Sequence, residues 1–254
     1  ITYSELRMVV DGRTIVPKDA NGNLLTYALK NGRHDLADDV LSNTNNINVS
    51  MALSEVLQKY PDGDKKRKHI ADLIKTHALA HEDCAVIEKY LTSPSDSIDT
   101  KATAINAAVA NGMDVSLEFV VRNILPVAGN ENTLSILDAY CSKKLVDDDV
   151  FRILNFACAC KDSKTAVGAL DCLKRGNQYV LVPSKTVIAM LSERDLTASD
   201  KISILDKLFE FKVEAKSVEA VMTNYLCFNR DPVATRKEVI LYLLDKSPQL
   251  PTST

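Results

Sequence analysis

The chain has 254 residues, 46% of them hydrophobic, with 31 Lys and Arg against 34 Asp and Glu and a formal net charge of −3. This is enough apolar material for a sizeable core, and the acidic balance excludes a surface held on nucleic acid by charge everywhere, so any such role needs local cations. With 8 Gly, 8 Pro and no Trp, helices joined by short turns fit better than a many-stranded sheet, and no apolar run approaches the ~20 residues of a membrane span.

The first residues, ITYSELRMVVDGR, read as the end of a preceding repeat. Residues 1–246 are therefore expected to form a helical-repeat domain within a longer array, with 247–254, SPQLPTST, as a flexible tail. Over 23–41, NLLTYALKNGRHDLADDVL, Leu24, Leu25, Ala28 and Leu29 share one helical face. Asn31-Gly32 breaks that helix, and Leu36, Ala37, Val40 and Leu41 form the face of a second. One such hairpin cannot bury its own face and needs neighbours. A short helix at 51–60 stops at Pro61-Asp62-Gly63, and helices at 68–80 and 83–91 form a pair.

Residues 103–112 and 115–125 repeat the clean pattern: INAAVANGMDVSLEFVV echoes LTYALKNGRHDLADDVL, with Asp114 as N-cap of the second helix. A loop at 126–130 leads to helices at 133–144, 149–160 and 163–175. The stretch 176–183 is irregular, with YVLV locally extended. Hairpins at 184–194/199–211 and 218–228/233–244 complete the chain, the last helix starting at a capping Asp231 followed by Pro232. Aligning the small residues of the second helices places Ala37, Val86, Leu117, Ala166, Ser203 and Ala234 in register. The steps are 49, 31, 49, 37 and 31 residues, and each long step holds an extra helix, 51–60 or 133–144. The fold class expected is all-α, a right-handed α-solenoid of about seven hairpins.

Reactive chemistry is sparse. The six cysteines, Cys84, Cys141, Cys158, Cys160, Cys172 and Cys227, show no CxxC spacing and read as reduced, buried hydrophobes of an intracellular compartment. His77, His81 and Cys84 have zinc-ligand spacing but no second cluster completes four ligands. Asp147-Asp148-Asp149 stands where a helix begins and favours the dipole there. No P-loop, GxGxxG or GxSxG occurs. The chain reads as a non-enzyme with no cofactor, metal or small-molecule substrate. Its dense basic run, Lys65-Lys66-Arg67-Lys68 with His69, suits phosphate or a nuclear-import receptor, or is simply a solvated helix start. Four cations at a helix N-terminus oppose the dipole, a cost that an anionic partner would relieve.

The hairpins resemble pentatricopeptide repeats, in their degeneracy the animal or fungal mitochondrial members, the leucine-rich type of animal mitochondria among them, rather than the plant ones. Leu24-Leu25, Asn31-Gly32 and Ala37 carry the likeness in one unit, and Val221-Met222, Tyr225, Asn229 and Ala234 in another. LSILDAYCSKKLVDDD (134–149) and FRILNFACACKDSKTA (151–166) are similar to first helices with their turns. The resemblance implies one base read per hairpin of a single-stranded organellar transcript, in support of its stability or translation, in the mitochondrial matrix. It places the first-helix reading positions at Asn23, Asp72, Thr103, Arg152, Ala189 and Ala220. Ala189 and Ala220 have no side chain for base recognition, and Asn23 and Thr103 are equally good helix caps. Unequal unit lengths and the missing basic balance depart from the family. Residues 19–49 are also similar to an ankyrin repeat, through D-x-x-G-N, a mid-repeat Asn-Gly and Ile-Asn-Val, but lack the TPLH tetrad. That likeness supports the alternative of a scaffold or adaptor whose groove holds a peptide or partner subunit.

Overall fold

The computed structural model describes residues 8–10, 13–15, 18–42, 47–76, 82–178, 180–213 and 215–246. Fourteen helices and four short strands lie among them, so the chain is all-α, as its composition predicts. Two compact units divide it, Ile1–Ala128 and Gly129–Thr254. No helix among the described residues is long and apolar enough to cross a membrane.

The first unit opens with an antiparallel strand pair, β1 (Met8–Val10) and β2 (Arg13–Ile15). This departs from the expected end of a helical repeat; the β-branched residues of MVV and RTI favour extended chain. Seven helices follow: α1 (Lys18–Lys30), α2 (His34–Leu41), α3 (Val49–Lys59), α4 (Asp64–Thr76), α5 (Glu82–Leu91), α6 (Ile98–Ala110) and α7 (Leu117–Asn123). The predicted faces are the observed core. Leu24, Leu25, Ala28 and Leu29 of α1 are buried, as are Leu36, Ala37, Val40 and Leu41 of α2. Neighbours in sequence pack as pairs, α1 with α2, α3 with α4 and α5 with α6. The pairs stack in two layers, α1–α3–α5 and α4–α6, with α2 joined to α4 through Asp38.

This pairing corrects the predicted register. Helix 51–60 is not an extra element but α3, the partner of α4. Val86 lies on α5, in the layer of first helices. The odd-numbered helices begin at Lys18, Val49, Glu82, Leu117, Asp147, Ser184 and Ala215, steps of 30 to 37 residues, and no long step is left. The echo between 25–41 and 105–121 is one of turn chemistry. In both, Asn-Gly ends a helix with glycine in the left-handed region, Gly32 at φ 66° and Gly112 at φ 84°. Each turn closes with a bond across it, Arg33 N to the Ala28 carbonyl and Met113 N to the Ala108 carbonyl. However, α1 is the first helix of a pair and α6 the second. At the next helix Ser116, not Asp114, is the N-cap, accepting from the Phe119 N–H.

At the unit boundary α8 (Leu125–Cys141) is broken at Gly129, where φ is 72° and ψ 170°. The expected loop at 126–130 is thus the first turn of a kinked helix. The second unit continues with α9 (Asp147–Ala159), α10 (Ser163–Arg175), α11 (Ser184–Leu191), α12 (Ala198–Leu208), α13 (Ala215–Phe228) and α14 (Val233–Lys246). Strands β3 (Leu181–Val182) and β4 (Lys212–Val213) pair in parallel, the first within the predicted extended stretch. Pairs α9/α10, α11/α12 and α13/α14 stack with α9–α11–α13 in one layer and α10–α12–α14 in the other.

The second-helix layer is laced by side chains one repeat apart. Arg175 pairs with Asp138 at 2.6 Å and Lys207 with Asp171 at 3.0 Å; Lys174 pairs with Glu210, and Tyr242 donates to Asp206 at 2.5 Å. All four pairs are separated by 36 or 37 residues. The helix starts are as regular: α10, α12 and α14 begin at Ser163, Ala198 and Val233, 35 residues apart each time. Helix α8 lies against α10 because Gly168 and Gly176 let it; a Cβ on Gly176 would sit 2.2 Å from the Cys141 carbonyl oxygen.

Candidate functional site

The basic run is largely consumed inside the fold. Lys65 Nζ donates to Asp38 Oδ2 at 2.7 Å, and His69 Nε2 lies 2.8 Å from Asp38 Oδ1. Tyr60 donates its hydroxyl to the same carboxylate at 2.5 Å. Burial raises the Asp38 pKa, but the hydrogen bonds from Lys65, Tyr60 and His69 outweigh it and hold the carboxyl at about 2. Arg67 pairs with Asp64, and Lys66 is buried. Lys68 alone of the four points to solvent without a described partner. The cations at the start of α4 therefore meet acids of the chain itself, which offsets the dipole penalty read from the sequence.

The other predicted reading residues are spread over helices of both layers. Asp72 lies exposed on α4 and Thr103 half-buried on α6, in the second-helix layer rather than on first helices. Thr103 Oγ1 donates to the Asp99 carbonyl at 2.9 Å, one turn back. Arg152 on α9 pairs with Asp149 at 2.9 Å. The side chain of Asn23 lies outside the described residues, as do His77 and His81. Ala189 and Ala220 are exposed on α11 and α13.

Two buried lysines, missed in the sequence, hold successive hairpins together. Lys66 on α4 is 1% exposed. Its Nζ donates to the Leu57 carbonyl at 2.9 Å and pairs with Asp96 at 2.5 Å, 5.4 Å from the centre of the Tyr90 ring. Tyr90 donates to the same Asp96 oxygen. Lys201 on α12, 0% exposed, repeats the arrangement. It donates to the Leu191 carbonyl at 2.7 Å, pairs with Asp231, and lies 5.7 Å from the Tyr225 ring centre, while Tyr225 donates to Asp231 at 2.6 Å. In both sets lysine, tyrosine and aspartate are spaced 24 and 30 residues from the lysine. That identical spacing was the available signal. Asp231, predicted as a helix cap, instead turns its carboxylate into the preceding hairpin. Burial, and then the aspartate, raise both phenol pKa values, so each tyrosine stays a donor.

Cysteine chemistry is muted. Burial pushes the Cys141, Cys158 and Cys160 thiols up to about 12, far from thiolate reactivity. Cys227, predicted as buried, is exposed on α13.

Exposed apolar surface gathers on the last pair. Phe228 is 76% exposed and Val233 73%, and Leu226, Leu241 and Leu244 are about half exposed. Phe228 and Asn229 line a shallow pocket of about 180 Å³ with Arg194, Arg230, Ser192 and Asp231. Arg194, Arg230 and Lys237 form no ion pair among the described residues. Comparison with family models, with curated proteins and with solved structures found no match.

Proposed function

We propose that this chain is a non-catalytic helical-repeat scaffold, a right-handed α-solenoid of about seven hairpins that binds a protein partner. The observation that carries this reading is the concentration of exposed apolar side chains on α13 and α14: Leu226, Phe228, Val233, Leu241 and Leu244. Solvated surfaces scatter single apolar residues, whereas partner surfaces collect them. The titratable groups support a binding role. Asp38 and Asp62 are held at about 2 and three thiols at about 12, which leaves these groups far from the neutral range useful to a general acid or base. Partner recognition also suits a chain whose densest basic run, 65–68, is largely paired with its own acids.

Single-stranded RNA is the second reading, favoured by Phe228 beside Arg194 and Arg230, since an exposed ring flanked by guanidinium groups is a platform for base stacking. A photo-crosslinking residue at Leu241, and separately at Phe228, separates the two in cell extract. Adducts of one discrete protein mass support the scaffold. RNA adducts, or no adduct at either site, overturn it.

A further inference from the structure

We infer that the outward face of α13–α14 receives one more helical hairpin, one that carries a carboxylate in its interhelical turn with a tyrosine six residues before it. This rests on the scaffold reading and names the chemistry of what that face binds. Arg236 is the fourth residue of α14, as Lys201 is the fourth of α12, 35 residues earlier. Lys201 bonds the carbonyl of Leu191 in its own hairpin, ten residues back. Arg236 does the same: its Nη1 donates to the Leu226 carbonyl, ten residues back, at 3.5 Å. There the likeness stops. Lys201 is neutralised by Asp231 and roofed by Tyr225 of the following hairpin. Arg236 has no carboxylate among the described residues, and its Nε is buried without a hydrogen-bond partner. Half of the latch is built and the other half is not present in the described chain.

The layer of second helices says the same. Asp171 and Lys174 on α10 face forward onto Lys207 and Glu210. Thirty-five residues on, Asp206 and Phe209 of α12 face forward onto Tyr242, by a hydrogen bond and by ring stacking at 6.3 Å. A further 35 on stand Leu241 and Leu244, 55% and 51% exposed. They hold the forward positions of α14 with nothing described in front of them. Their apolar side chains ask for a packed helix, and Arg236 asks for an acidic turn. A second copy of this chain fits poorly at that end. Six residues beyond Tyr27 its first hairpin offers Arg33, itself paired with Asp35, which would bring cation to cation.

The chain contains a suitable probe. A copy of residues 212–246, joined directly behind Lys246 in place of 247–254, sets its tyrosine 24 and its aspartate 30 residues beyond Arg236, the spacing of the Lys201 latch. Against the chain ending at Lys246, amide exchange over 236–246 is expected to slow at least tenfold. The slowing should vanish with Asp231→Arg in the appended copy alone or with Arg236→Leu, and survive Arg236→Lys. A copy that stays unfolded, or folds without slowing exchange over 236–246, overturns the inference. So does concentration-dependent dimerisation of the natural chain that protects 236–246, because it names a second copy as occupant. Crosslinking at Leu241 is independent of these results. A discrete protein adduct with an undocked copy leaves the scaffold standing and removes the hairpin; an RNA adduct removes the scaffold.

Discussion

Lys66 and Lys68 stand two residues apart in one basic run, yet substitutions at them have opposite meanings. Lys68→Ala is expected to change stability by less than about 0.5 kcal/mol. Lys66→Ala strands the buried Asp96 carboxylate and should cost about 3–5 kcal/mol in urea denaturation. Alanine at all four basic positions would therefore mix a loss of fold stability with any loss of ligand binding. At the other latch, Asp231→Asn should cost a similar ~3–5 kcal/mol by leaving Lys201 buried without its counter-charge. The triple change Lys201→Met/Tyr225→Phe/Asp231→Leu should return to within about 1 kcal/mol of the natural chain, since Asn229 still donates to the Leu191 carbonyl. Asp38 supplies the acid limb. Its folded pKa of about 2 lies below the ordinary value of 3.8, so its stabilisation is full above about pH 4 and is lost as pH falls toward 2. Asp38→Asn should flatten that limb by roughly 1 kcal/mol, a solvent-discounted figure, in urea midpoints taken from pH 5 to 2.

At the level of helices, positions and faces were legible in the sequence, and so was the pairing of α1 with α2, α11 with α12 and α13 with α14. The expected pairs 68–80/83–91 and 103–112/115–125 cut across the observed α3/α4 and α5/α6. Leu24, Leu25, Leu36 and Val40 announce their burial because helical periodicity is a local property of the chain. Pairing depends on which helix each face meets, and the two Asn-Gly turns gave a false register because the same cap closes α1 and α6 in different layers. The candidate site was less legible still. Lys66 reads as one of four like charges, and its burial follows from Asp96 and Tyr90, 30 and 24 residues away. Leu241 and Leu244 look like ordinary core residues until the helices before them are placed. Helix contact also decides which glycines are replaceable. Gly176→Ala drives a Cβ into the Cys141 carbonyl oxygen and should destabilise the second unit by about 1–3 kcal/mol. Gly168→Ala meets only the end of the Leu134 side chain at 2.6 Å, which can turn away, and should cost less. Thermal melts of the two variants side by side test that ranking.

For the molecule as a whole, stacked pairs imply that damage stays near its origin, because each pair holds mainly its neighbours. In Asp231→Asn, amide exchange should accelerate in α13 and α14 first and leave α9 and α10 at their natural rates; uniform acceleration across the unit would mean that it opens as one cooperative block. The alternation of latch types has a further bearing on how the chain reaches its fold. A chain of similar hairpins is prone to skip a unit or exchange one with another copy while folding. At the step between the two hairpins α9/α10 and α11/α12, the positions matching Lys201, Tyr225 and Asp231 are Ala166, Met190 and Leu196, all buried. A hairpin ending in a lysine that closes against this apolar step leaves its ammonium buried without a counter-ion. One offering an alanine to Tyr225 and Asp231 leaves a carboxylate in the same position. Charged and apolar steps thus act as unlike keys, and the two neighbouring steps of the second unit each disfavour the hairpin that belongs to the other.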